Sequence, residues 1–154
     1  MNIFLLFLPV IACPLLSRAL SGDRSFGDAE GDRRAPFQPP SWVFGPVWFC
    51  LYLLMGVALN RVDDRNDRGA QYGMALLLFL NVMWTPVFLR GYLKTSLLII
   101  VAMIAQASAL SHRTEYLRAL IAPYVAWLVY AALLNAYYIT AFPQSSSELS
   151  SSSE

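Results

Sequence analysis

Five long apolar runs, separated by short hydrophilic breaks, constrain this chain more than any other feature. A helix crossing a bilayer needs about 20 apolar residues, because the hydrocarbon core is about 30 Å thick and each residue rises 1.5 Å. The spacing predicts helices over residues 2–20, 41–59, 70–89, 95–110 and 117–142, which makes the fold class an all-α membrane protein, a bundle of five transmembrane helices. Residues 1–143 form that domain. Residues 144–154 are a serine-rich tail too polar to bury apolar surface, and the expectation there is disorder.

Composition agrees with this reading. Of 154 residues, 57% are hydrophobic and only 14% charged, whereas about a quarter are charged in a water-soluble domain. The net charge of +1 provides no basic stripe for a phosphate backbone, so nucleic acid is not an expected partner. The lipid bilayer is. Residues 2–20 lack the cationic opening and small-residue cleavage site of a signal peptide, and are read as a retained helix. Cys13 and Cys50 sit in apolar runs as small hydrophobes. The lone histidine, His112, lies in a polar break without a ligand cluster, so no metal site is expected.

Charge does not settle orientation. One set of breaks carries Arg61, Arg65, Arg68, Arg113 and Arg118; the other carries Arg18, Arg24, Arg33, Arg34, Arg90 and Lys94. The bias is too small for the positive-inside rule. The five spans contain no Asp or Glu, and so lack the mark of a proton-coupled transporter.

The stretch over residues 36–59 organises the rest. Pro39-Pro40 leads to Ser41, a favourable N-cap residue, and the helix that follows carries Trp42, Pro46 and Trp48. Trp48, Tyr52, Met55 and Leu59 share one helical stripe, and Trp42, Pro46, Phe49 and Leu53 share its neighbour. Pro46 and Pro86 each free a carbonyl four residues upstream, those of Trp42 and Val82, which other helices must satisfy.

The third helix clusters Asn81, Trp84, Thr85 and Phe88. The fifth places Pro123, Trp127, Ala131 and Leu134 on one face, with Tyr124, Asn135 and Tyr138 nearby. Three helices each combining proline, tryptophan and a few polar groups suit a concave apolar pocket for a planar ligand. Against this stands the ordinary use of tryptophan and tyrosine as interfacial belts, which fits Trp42 equally well. Asn81 and Asn135 also suit interhelical hydrogen bonding. Gly69 and Gly73 form a small-xxx-small pair suited to close packing or a dimer face. Loose sterol-type patterns occur over residues 89–94 and 110–118.

The run Pro39-Pro40-Ser41-Trp42-Val43-Phe44-Gly45-Pro46-Val47-Trp48, with Leu51-Tyr52 and Met55-Gly56, resembles the translocator protein family, also called tryptophan-rich sensory proteins (TspO/MBR) or peripheral-type benzodiazepine receptors. Asn81-x-x-Trp84-Thr85-Pro86-Val87-Phe88, Pro123-Tyr124-Val125-Ala126-Trp127, Leu134-Asn135 and Ser17-Arg18 extend the resemblance from the first helix to the fifth. It implies a homodimeric five-helix receptor or translocator whose pocket opens beneath the first loop. The implied ligands are porphyrins (protoporphyrin IX or haem, as ligand rather than required cofactor), cholesterol or other sterol-like molecules, and benzodiazepine-type compounds.

The resemblance further implies the mitochondrial outer membrane or another organelle membrane for a eukaryotic protein, and the cell envelope membrane for a bacterial one. Trp48 and Trp127 match the tryptophans held responsible for light-dependent porphyrin degradation; Ala131 and Asn135 match pocket or steroid-site positions. The expected ligand-binding set is therefore Trp48, Tyr52, Asn81, Trp84, Phe88, Tyr124, Trp127, Ala131, Asn135 and Trp42, with Arg33 and Arg34 at the loop mouth. Conventional catalysis is not expected, and the alternatives are porphyrin photo-oxidation and a ligand transporter or membrane scaffold. The chain departs from the family at three places. Phe37 replaces a tryptophan before the proline pair, a second tryptophan is replaced near Ser96, and residues 136–142 lack the cation of the animal sterol motif.

Overall fold

The structure, a computed structural model, describes residues 2–22 and 35–141. They form five helices long and apolar enough to cross a membrane: α1 (Ile3–Ser21), α2 (Ser41–Asp64), α3 (Arg68–Leu89), α4 (Leu93–Ser111) and α5 (Glu115–Ala141). The bundle closes in the order α1–α2–α5–α4–α3, with α3 returning to α1 and also touching α2. Large apolar side chains such as Phe4, Leu15, Phe79, Leu98 and Leu133 point outward. Such a surface belongs in lipid, where helix packing rests on close fit and hydrogen bonds rather than on escape from water.

Close fit is clearest between α1 and α2. A Cβ on Gly56 would overlap the backbone carbonyl of Leu6, so only glycine permits this approach. The same helix pair is pinned at its end by Asn60, whose side chain bonds once across the pair and once within α2. The Asn2 backbone N–H donates to Asn60 Oδ1 at 2.6 Å, and Asn60 Nδ2 donates to the Gly56 carbonyl at 3.1 Å. Gly73 faces Gln106 and Leu110 of α4, and Gln106 Nε2 donates to the Gly73 carbonyl at 3.1 Å. The Gly69–Gly73 pair therefore packs α3 on α4 within one chain, Gly69 lying against the Arg113 side chain.

The freed carbonyl at Pro86 is met across the bundle: Ser17 Oγ donates to Val82 O at 3.4 Å. Nearby, Arg90 Nη2 donates to the Leu20 carbonyl at 2.8 Å, capping the last turn of α1.

Helix boundaries differ from expectation in informative ways. α2 continues to Asp64 instead of ending at residue 59, and the link to α3 shrinks to residues 65–67. The added turn carries Asn60, bonded as described, and Arg61, whose guanidinium lies 4.9 Å over the Tyr116 ring. Tertiary partners thus hold in helical form a polar run that reads locally as a loop. Ser41 does not cap α2: Pro40 occupies the N-cap in extended geometry, and its carbonyl accepts from Val43 N at 2.9 Å. α3 is capped by Asp67, which accepts from Ala70 N at 3.0 Å. α5 begins at Glu115 rather than residue 117, with Thr114 Oγ1 accepting from Leu117 N at 3.1 Å. Cys13 is buried, Cys50 faces outward, and both are free.

Candidate functional site

The inner stripe of α2 converges with α3 and α5 on an aromatic cluster centred on Trp48. Its ring stacks on Tyr52 with centroids 5.3 Å apart and meets Trp84 at 6.3 Å, Tyr124 at 6.4 Å and Trp127 at 6.5 Å. Trp84 stacks on Phe88 at 5.4 Å, and Trp127 meets Phe44 at 5.7 Å and Tyr130 at 5.3 Å. These offset and edge-to-face arrangements satisfy the ring quadrupoles and fix each ring against several others.

The cluster walls a cavity reached by Phe44, Trp48, Trp84, Phe88, Trp127 and Tyr130, with Ala131 and Leu134 between the rings and Gln38, Asn135 and Tyr138 as polar members. It holds about 20 Å³, little more than one water's space. A planar multi-ring ligand enters only if some of these side chains move.

The segment over residues 35–40 covers this region. The Tyr138 hydroxyl donates to Gln38 Oε1, and the Tyr130 hydroxyl donates to the Phe37 carbonyl at 3.3 Å. Phe37 also packs edge-on against Tyr130 and Tyr137, at 6.5 and 5.6 Å. Here the phenylalanine at the departure from the family's tryptophan serves the cover rather than the cavity wall.

Behind Trp48 lies a buried polar relay. The Tyr52 hydroxyl donates to Asn81 Oδ1 at 3.1 Å, Asn81 Nδ2 donates to the Tyr124 oxygen at 2.8 Å, and the Tyr124 hydroxyl donates to Met103 Sδ at 3.5 Å. Asn81 thereby ties α2, α3 and α5 together at the back of the aromatic wall. A second polar pair joins α5 to α4: Asn135 Nδ2 donates to Ser96 Oγ at 2.6 Å. Ser96 is fully buried, and Asn135 Oδ1 has no hydrogen-bond partner among the described residues. The small residue standing where the family carries an indole thus becomes an anchor for the pocket's asparagine.

The expected site residues fall into three groups. Trp48, Trp84, Phe88, Trp127, Ala131 and Asn135 line the cavity. Tyr52, Asn81 and Tyr124 form the layer behind it. Trp42 is 73% exposed on the outer face, apart from the lining, and Pro46 and Phe49 are exposed with it. Trp42, Pro46 and Phe49 turn away from the core, with Leu53 half-buried at the end of their stripe, because Trp48 and Tyr52 occupy the inward direction of α2. Arg33 and Arg34 lie outside the described residues, as does the serine-rich tail.

Phe44, Tyr130, Leu134, Tyr138 and Gln38 join the lining without having been among the expected ligand contacts. Helical spacing carried most of that signal: Phe44 precedes Trp48 by one turn, and Leu134 and Tyr138 continue the face of Trp127 and Ala131. Gln38 carried none, since only the return of its segment over α5 brings it there. Among the described residues no group of three His, Cys, Asp or Glu side chains could hold a metal ion.

Comparison with known proteins agrees with the architecture. The chain is 30% identical over 138 residues to the human "Translocator protein", covering 82% of this chain and 81% of that protein. It is 30% identical over 139 residues to the "Tryptophan-rich sensory protein" of Cereibacter sphaeroides, covering 86% and 87%. Similarity to the "Tryptophan-rich protein TspO" of Archaeoglobus fulgidus is 31% over 108 residues, covering 64% and 69%. The sequence profile of the TspO/MBR family matches residues 5–140, and this integral, multi-pass membrane protein belongs to that family.

Proposed function

We propose that this chain is a membrane receptor for a planar, largely apolar ligand of the porphyrin class, taken up between Trp48, Trp84 and Trp127. The observation that carries the reading is the ring cluster around Trp48, where three helices each contribute an indole to one cavity wall. Indole faces offer dispersion and quadrupole contacts to a flat π-system, and Gln38, Asn135 and Tyr138 provide a few orienting polar groups. Sterol-like and benzodiazepine-type molecules fit the same description less well, having less planar π-surface to match the three indoles. With no histidine in the lining, metal-free protoporphyrin IX is the favoured probe over haem.

Titration of the purified protein with protoporphyrin IX, followed by tryptophan fluorescence, tests this. Quenching should saturate, and Trp48→Ala and Trp127→Ala should each weaken affinity by roughly tenfold, the loss of a well-packed aromatic partner. Trp42→Phe, on the outer face, should leave affinity unchanged. Equal affinity of the Trp48→Ala, Trp127→Ala double variant and the parent would remove the pocket from consideration.

A second reading rests on the same contacts. Trp48 touches Trp127 at 6.5 Å and stacks on Tyr52, whose hydroxyl is bonded to Asn81. In this reading a photoexcited porphyrin held against Trp48 and Trp127 is oxidised by dioxygen, which takes up the electrons and enters the opened ring, and bleaching follows. Light-dependent bleaching faster than that of free porphyrin, and lost in Trp127→Phe, would favour it. Bleaching at the free-porphyrin rate would exclude it.

A further inference from the structure

A second recess, of about 330 Å³, lies at the other end of α2 from Phe44 and Trp48. It is lined by Arg61, Val62 and Arg65 of α2 and its C-cap, Asp67 of the α2–α3 link, and Thr114, Tyr116 and Leu117 at the start of α5. Arg61 and Arg65 are four residues apart, so their side chains leave the same helical face. Arg61 is held in place by the Tyr116 ring, 4.9 Å below its guanidinium.

The acids nearby are largely committed elsewhere. Asp67 accepts two bonds from Arg113 Nη1, at 2.9 and 3.0 Å, as well as the Ala70 N–H. Glu115 is paired with Arg118 at 2.9 Å, and Asp63 accepts from Gln71 at 3.5 Å. Asp64 is the acid whose charge acts on Arg61. Neither Arg61 nor Arg65 forms a salt bridge among the described residues. The α5 N-terminus adds its positive dipole end to the same recess.

We propose that this recess binds the phosphate of an anionic phospholipid headgroup. Two guanidiniums from one helical face, one of them pre-oriented by an aromatic ring, match the paired oxygens of a phosphate, and Thr114 offers a hydroxyl beside them. The depth favours lipid as the source. Charged residues gather at these helix ends, Tyr116 and Tyr72 are 38% and 74% exposed beside them, and Val62 and Leu117 give the recess an apolar floor. That mixture marks the headgroup level of a bilayer, where basic pockets between helices take lipid phosphates. A soluble phosphate presents the same chemistry to the arginines, so the test separates the two sources.

The full chain in detergent is melted with dioleoyl phosphatidic acid, with dioleoyl phosphatidylcholine, or with glycerol 3-phosphate. Phosphatidic acid at about a hundredfold over its Kd should raise the melting temperature by roughly 5 °C or more, and the other two should not. Arg61→Gln with Arg65→Gln should abolish the shift, and Arg90→Gln with Lys94→Gln, at the opposite end of the bundle, should retain it. Because Arg61 also packs on Tyr116, Arg65→Gln alone is included, with lipid retention read by native mass spectrometry. An undiminished shift and undiminished retention in the arginine variants would overturn the site. A full shift with glycerol 3-phosphate would overturn the lipid assignment in favour of a soluble phosphate.

Discussion

Gly56 and Asn81 show how much of this bundle rests on single side chains. At Gly56 the obstacle to a side chain is the Leu6 backbone, which cannot rotate away as a side-chain tip could. Gly56→Ala should therefore separate α1 from α2 and cost about 1–3 kcal/mol, the usual range for overpacking. Gly45, with open space around its Cβ position, is the matched control, and Gly45→Ala should change the melting temperature little. Asn81 bonds two tyrosine hydroxyls from different helices at full burial. Asn81→Ala leaves the Tyr52 hydroxyl without its acceptor and the Tyr124 hydroxyl with only Met103 Sδ, for an expected loss of about 1–2 kcal/mol. Its effect on porphyrin affinity should exceed that of an equally destabilising change on the α1–α2 contact, because Tyr52 is the platform on which Trp48 stacks.

Among the elements, the segment over residues 35–40 and α5 work as cover and wall. The cavity beneath them has room for about one water, so a larger guest needs side chains to move, and opening the Gln38–Tyr138 or Phe37–Tyr130 contact would lift the cover. Tyr138→Phe removes one of these and keeps the ring. Weakening the closed arrangement by about 1 kcal/mol raises the open fraction roughly fivefold. Stopped-flow tryptophan quenching should show protoporphyrin IX associating with Tyr138→Phe several-fold faster than with the parent. An unchanged association rate would show that entry follows another route, such as between helices from the lipid. The α2 helix has a double role, since its inner stripe makes the aromatic wall and its last turn presents the arginines of the second recess.

For the whole molecule, the link between α2 and α3 is tied to the link between α4 and α5 by the Asp67–Arg113 pair. Bonding from the Ala70 N–H, together with the Arg113 guanidinium, holds the Asp67 carboxyl below the usual carboxylate range. A folded-state value lower than the unfolded one means that this stabilisation is complete above the ordinary carboxylate range. It is then lost as pH falls through the lowered value. Thermal melts on acidification should show this fall, and Asp67→Asn, which retains a capping oxygen but no charge, should flatten it. Because the single span α3 separates them, the α2–α3 link and the α3–α4 link lie on opposite membrane faces. A cysteine introduced at Asn66 and one introduced at Tyr92 should label from opposite sides of sealed vesicles.

What this sequence determined by itself is the set of spans, because hydrocarbon thickness demands a length of apolar chain that any window along it reveals. The family was legible there as well, and so was the inward set of Trp48, Trp84 and Trp127, since each repeats with helical spacing beside a proline. What only the tertiary structure decided is direction and contact. Trp42 and Trp48 lie on one helix, yet Trp42 faces outward and Trp48 faces the core; apolar residues look alike to a sequence pattern when a bundle is apolar on both sides. The final turn of α2 reads as loop until Asn2 and Tyr116 arrive from distant parts of the chain to hold it. Gln38 reaches the pocket through a hydroxyl 100 residues away, a pairing that no local spacing encodes.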